Sequence, residues 1–402
     1  VGPLSSSPKG SGPSINRGDP RAARHRPVDA GAKNLTINSI SLVIAALANA
    51  ALGLVFWAVV AKLFAPASVG AASAVITSCV AASAFSNLSI GAMFERFLSA
   101  TGTRMQTYLI RGLGLAALCA IVVGAVLALG LSMTGKVFEH RWEIVAVPLW
   151  VVVLGLFSLS DQLANALGVG RWAAMKNVVH AITKLMLVAG VGTLGWGSSS
   201  IVLSWIVPAV VTVAVLVGAL YRRAGRHAQL APDVRLPPRR EMTRYFVTSY
   251  ALVALSALTP TLVPLAIVAR LDTDANAYFA LTWAMVGAVF ILMTMLVGPV
   301  VAEVASNAAQ AHELISRFMA LTVAIAVVGA CALIAVGPIL LGYLGQQYRH
   351  YGEVLLVLGA ATLPFMTVNI FYSALARLHR KLGLAVSAKL LASVMTVGGS
   401  FV

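Results

Sequence analysis

The stretch "NSISLVIAALANAALGLVFWAVVAKLFAPASVGAASAVITS", residues 38–78, holds a single charged side chain, Lys62, in 41 positions. Its apolar residues surround every face, so no face is set aside for water. A hydrocarbon core of about 30 Å takes about 20 residues of helix, and the stretch is long enough to cross twice, turning near Lys62 and Pro66. Within lipid each backbone donor and acceptor must be satisfied internally, so both crossings read as helices.

The same pattern continues on either side. Of 402 residues, 59% are hydrophobic and 10% charged, and the mean hydropathy is +0.89, which excludes a soluble globule. Eleven spans are expected, near residues 36–61, 70–94, 108–134, 144–166, 178–196, 199–221, 244–269, 276–301, 317–341, 354–376 and 383–402. The last reaches Val402 without a polar flank, so the expectation is an all-α polytopic membrane protein whose last span or spans are missing.

The net charge of +16 could suggest nucleic acid, but the basic residues lie in the tail and in short connections. Of 29 Lys and Arg, 22 fall in the tail and on alternate connections, against 5 on the other side. By the positive-inside rule the amino terminus is cytoplasmic, and no nucleic-acid partner is expected. Residues 1–35, opening with "VGPLSSSPKGSGPSINRGDPRAARHRP", read as a disordered basic cytoplasmic tail; its basic residues can meet anionic membrane lipids. Cys79, Cys119 and Cys331 all fall within spans and form no disulfide or metal pattern.

An offset of 208 residues aligns the two halves without gaps. It places Ala61, Lys62 and Leu63 on Ala269, Arg270 and Leu271, Glu95 on Glu303, and Asp161 on Asn369. Six spans separate the copies, so both have the same sense: a parallel six-plus-six repeat. The expected domains are an amino-terminal six-helix lobe over 36–221, a cytoplasmic linker over 222–243, and a carboxy-terminal lobe over 244–402 with five spans present.

Intramembrane charge points to function by default. Asp161 lies about five residues before the fourth span ends, and Lys184 about six after the fifth begins. Antiparallel helices would therefore bring the two to one depth, and a pair is expected. It reads first as a structural clamp, with proton or cation coupling as the alternative. Asn38 and Asn49 share a face of the first span, and Ser73, Thr77, Asn87 and Gly91 lie along a line on the second. Such stripes can line a hydrated cavity or serve as helix contacts. Pro260 and Pro264 remove two backbone donors from the seventh span, where a bend and a candidate hinge are expected. Hydrolase, metalloprotease and nucleotide-binding motifs are absent, and the seven His are scattered, so neither enzyme chemistry, metal nor cofactor is expected.

The stretch 38–78 resembles the first two spans of polysaccharide-biosynthesis flippases of the multidrug, oligosaccharidyl-lipid and polysaccharide (MOP) exporter superfamily. There an aromatic helix end leads through A-[KR]-L, a Pro and V-G into a small-residue helix. "DQLANALGVGRWAAMKNVVHAITKL", 161–185, is similar to the family's connection of spans four and five at Asp161, Leu167, Arg171, Trp172, Asn177 and Lys184. "NLSIGAMFERFL", 87–98, adds a match ending at Arg96.

The resemblance implies two six-helix, MATE-like lobes around a cavity open alternately to each side of a bacterial plasma membrane. The implied cargo is a polyprenyl-diphosphate-linked saccharide for surface polysaccharide. Its diphosphate would meet Arg96, Arg104 and Arg111 at the cytoplasmic mouth, with Asn38, Asn49 and Asn87 in the cavity. The alternatives are a cation-coupled multidrug antiporter of the same superfamily and a scaffold recruiting glycosyltransferases through the tail and the Arg-rich linker. An antiporter should hold free carboxylates inside a lobe, and Asn369 leaves the second half without one at the repeat position.

Overall fold

The computed structural model describes residues 47–191, 196–230, 236–295, 297, 311–378 and 390. Among them every regular element is helical: α1 (Leu47–Leu63), α2 (Pro66–Ser86), α3 (Ile90–Phe97), α4 (Met105–Met133), α5 (Arg141–Ala166) and α6 (Gly170–Val191). Then come α7 (Gly197–Leu230), α8 (Arg239–Arg270), α9 (Thr273–Met295), α10 (Ala311–Ala335), α11 (Gly337–Leu344) and α12 (Gln346–Leu378). A 3-10 segment, Leu98–Arg104, joins α3 to α4. Among the described residues, eight helical stretches are long and apolar enough to cross a membrane. Large apolar side chains such as Val145 (76% exposed) and Phe365 (77%) point outward, as lipid-facing residues do. The tail, Asn38, Glu303 and the expected eleventh span lie outside the described residues.

The helices alternate in direction, so the connections gather at two ends. One, the Lys62 end, holds the α1–α2, α4–α5 and α8–α9 connections and the start of α7, where the Ser198 N–H donates to Glu139; the other is the Arg96 end. The 208-residue offset also relates the helix boundaries: Pro66 falls on Asp274, beside the start of α9, and Arg141 falls on Arg349, in the first turn of α12.

Packing centres on α2. Its apolar window is 72% buried, against 22% to 44% in the other spans, and it packs on α4, α5, α7, α8 and α9. The sequence PASVGAASAVITSCVAASAFS supplies the means, because small side chains let neighbouring helices approach closely. Three of its hydroxyls bond back within the helix: Ser73 donates to the Gly70 carbonyl (3.0 Å), Thr77 to Ser73 (2.6 Å) and Ser86 to Ser83 (2.9 Å). The stripe expected on span two therefore serves helix contact.

That span is also not one helix. It breaks at Asn87, where Leu88 and Ser89 take left-handed backbone angles (φ 46° and 53°) before α3 restarts. Asn87 is not a cavity residue as expected. It is buried, and its Nδ2 donates to the Gly155 carbonyl at 3.3 Å, tying the break to α5. Beyond the break α3 lies directly on α5, with Gly91 against the Gln162 side chain. α8 runs unbroken through residues 260 and 264, so its prolines do not end the helix. The Pro264 side chain is buried, and that of Pro260 lies outside the described residues.

Two helix starts at the Lys62 end share one carboxylate. Glu143, 2% exposed, accepts from the backbone N–H of Glu139 (2.9 Å) and His140 (3.1 Å) and from the Ser199 hydroxyl (2.6 Å). It caps α5 and fastens the first turn of α7. Glu143→Ala leaves three donors without their acceptor. With each unsatisfied buried group costing about 1–3 kcal/mol, a loss of at least about 2 kcal/mol and a lower thermal unfolding temperature in detergent are expected.

Candidate functional site

The tight turn at Leu167–Val169 sets the site. Gly168 supplies a positive φ of 69°, and the Val169 N–H closes back on the Ala164 carbonyl at 2.8 Å. α6 starts at once, at Gly170, eight residues earlier than the span expected from hydropathy. That changes the register between α5 and α6.

The expected pair of Asp161 with Lys184 is therefore corrected. Asp161 meets Lys176, whose Nζ lies 2.7 Å from Oδ1. Lys184 is two helical turns deeper, about 12 Å further along α6. Lys176, read from sequence as a loop residue, is 5% exposed. Its ammonium also donates to the Phe157 carbonyl (2.7 Å) and the Ser160 hydroxyl (3.2 Å), and it lies 3.2 Å from the centre of the Phe157 ring. Asn177 donates to the other Asp161 oxygen at 3.1 Å.

These groups border a cavity of about 310 Å³ between α1, α5, α6 and α9. Asn49, Asp161, Asn165 and Asn177 give it polar walls, and Ile291 and Met295 close it from α9. Asp161 and Asn165 lie in the last turns of α5, and Met295 ends α9, so the cavity sits toward the Arg96 end. Its only carboxylate among these lining residues is already neutralised by a lysine. What remains facing the space is three carboxamides, which both donate and accept hydrogen bonds.

The sequence-predicted residues divide accordingly. Asn49, Asp161 and Asn177 come together. Arg104 and Arg111 are exposed and do not line the cavity. Arg96 is engaged elsewhere: it lies 3.4 Å from Glu241 and stacks over Tyr245 at 4.6 Å, joining the α3 end to the α8 start. Arg171 is exposed at the start of α6, while Trp172 carries the Arg223 guanidinium 5.8 Å from its ring centre.

Sequence reasoning missed Lys176 and Asn165. The signal for Lys176 was present as "KNVVHAITK", where Lys176, His180 and Lys184 recur every fourth residue on one helix face. All three are buried. Asn165 had no comparable signal, since its place depends on the turn.

An all-helical, multi-pass chain folded about a buried second helix, with a polar cavity opening between helices, has the polytopic fold of MATE-type membrane proteins. One solved structure similar to it is described as an inward-facing conformation of a multidrug resistance MATE family transporter of the MOP superfamily. The likeness has a TM-score of 0.60 and 15% identity, covering 91% of this chain and 89% of that one. A mutant of the Vibrio cholerae MATE transporter VcmN matches with a TM-score of 0.56, 13% identity and coverage of 90% and 86%. A MATE protein in the bent conformation matches with a TM-score of 0.52, 12% identity and coverage of 90% and 94%. No family model and no curated protein matches the sequence.

Proposed function

We propose that this chain is a MOP-superfamily exporter that moves a polyprenyl-diphosphate-linked saccharide from the inner to the outer leaflet of a bacterial plasma membrane. The observation that carries the reading is the state of Asp161. A cation-coupled antiporter needs a carboxylate free to bind and release its cation, and this one is held by Lys176 at 2.7 Å. A wall of carboxamides around a neutralised pair suits an uncharged, hydroxyl-rich cargo.

Placing the Arg96 end in the cytoplasm rests on the bias of basic residues, which survives the move of Lys176 into a helix. The cavity then opens toward the leaflet where lipid-linked sugars are made. The linker expected at 222–243 is shortened by α7, which runs to Leu230, and α8, which starts at Arg239; residues before and after that connection form the two lobes, with Pro260 and Pro264 as candidate hinge positions. Arg104, Arg111 and Arg171 are exposed at the same end and offer charge to a diphosphate near the headgroups. Moving an anion outward gains about 2.3 kcal/mol per charge for each 100 mV of inside-negative potential. The step therefore requires no titrating coupling residue.

The test is mass spectrometry of lipid-linked saccharides and of surface polysaccharide after depletion of the full-length protein in its own host. The expected result is accumulation of a completed lipid-linked unit with loss of its surface product. Unchanged lipid pools together with lost efflux of organic cations would overturn the reading in favour of an antiporter.

A further inference from the structure

Lys184 is 4% exposed, and no ion pair among the described residues includes it. Its ammonium instead lies 3.3 Å from the centre of the Trp205 ring and 4.9 Å from that of Phe56. Trp57 packs against both rings, its own ring 5.4 Å from Phe56 and 6.2 Å from Trp205. His180 braces the far wall, with Nε2 3.0 Å from the Trp205 carbonyl oxygen. Two aromatic rings, Phe56 from α1 and Trp205 from α7, thus face one ammonium from α6. Such a set of ring faces is the arrangement that recognises alkylammonium ligands, because the quadrupole of each ring attracts a desolvated cation.

The cage lies on the same two helix faces as the cavity. Phe56 lies seven residues beyond Asn49 on α1, and Lys184 seven beyond Asn177 on α6. Seven residues are close to two turns, so each pair shares a helix face and is separated by about 10 Å along the axis. Asn49 and Asn177 line the cavity, and the cage therefore lies about two turns further along the helix faces that they occupy.

We propose that Lys184 is a specificity-determining residue whose tethered ammonium fills an aromatic cage that would otherwise bind small organic ammonium cations, excluding that class from the groove between these faces of α1 and α6. A ligand cation entering the groove meets rings already saturated by an intramolecular cation, and it meets that cation's repulsion in a medium that screens poorly. The inference does not depend on which cargo the cavity carries.

The experiment titrates the purified full chain in lipid nanodiscs with tetramethylammonium chloride against matched sodium chloride, monitoring tryptophan fluorescence. The wild type and Lys184→Arg should give no saturable response. Lys184→Ala should give one, with an apparent affinity at least about tenfold above any wild-type response, and the added substitution Trp205→Ala should abolish it. Lys184→Met, which keeps the stem in place, should not respond. A wild type that binds as well as Lys184→Ala overturns the proposal, as does a silent Lys184→Ala that melts within a few degrees of wild type. Should the alanine variant not fold, Lys184→Ser takes its place. If neither folds while Lys184→Met does, the stem is a packing element and the proposal fails.

Discussion

Asp161→Asn should destabilise the protein more than Lys176→Met, although the two remove opposite ends of one ion pair. The asymmetry arises from their surroundings: the Lys176 side chain is 3% exposed and that of Asp161 28%. Without its carboxylate, the Lys176 ammonium stays buried, keeping the Phe157 carbonyl and the Ser160 hydroxyl as acceptors beside an uncharged carboxamide. Breaking a buried pair from one side costs about 3–5 kcal/mol, and those two acceptors place the expected loss near the lower figure. Without its lysine, Asp161 still accepts from Asn177 and borders the cavity, where water can reach it. About 1–2 kcal/mol is expected there.

The double variant should be more stable than the sum of the single losses predicts, by at least about 1 kcal/mol. Thermal unfolding in nanodiscs measures all four corners of the cycle. Asp161→Asn combined with Lys184→Met should be additive, because the two side chains stand two turns apart. Coupling there of the same size, with none to Lys176, would sink the register described for α5 and α6.

A side chain at Gly70 should abolish the closed Lys62 end. A Cβ built at that position overlaps the carbonyl oxygen of Thr273, which is backbone and cannot rotate away. The same contact is held by Asn276, fully buried, whose Nδ2 donates to the Gly70 carbonyl (2.8 Å) and the Ser73 hydroxyl (2.9 Å). Beside it Lys136 donates to the Leu271 carbonyl at 3.0 Å. Gly70→Val must part the starts of α2 and α9, and with no compensating contact the closed arrangement should lose several kcal/mol. Spin labels at Ala67 and Leu271 should show the short distance of the wild type replaced by a longer one, with transport lost. An unchanged distance distribution would show that the two helix starts do not meet in the membrane. Asn276→Ala should move the distribution the same way by a smaller amount, since backbone packing at Gly70 remains.

These two predictions also show how far the primary sequence reaches. The existence and helical type of the described membrane spans were legible in hydropathy, because a lipid environment leaves helices as the way to satisfy the backbone, but α6 and α12 each start eight residues before the expected span. The break at Asn87 was not legible: Asn-Leu-Ser is an ordinary string, and its left-handed angles persist because Gly155 of α5 receives the Asn87 amide. Glu143 was likewise hidden, since His-Arg-Trp-Glu, 140–143, does not begin with a common capping residue and Ser199 joins it only in three dimensions.

For the site, pattern alone placed Asp161 and Lys184 on neighbouring helices and Asn38 and Asn49 on one face of the first span. Which lysine holds Asp161 was decided by the three-residue turn at Leu167–Val169, because helical register converts a shift of a few residues into a different partner. Likewise, the periodicity of α6 marks Lys184 as a buried cation, but only the packing of α1 and α7 supplies the rings of Phe56 and Trp205 around it. Periodicity is a property of one helix and survives in the linear sequence. The partner of a side chain depends on turns and on helices distant in sequence, and only the folded chain sets it.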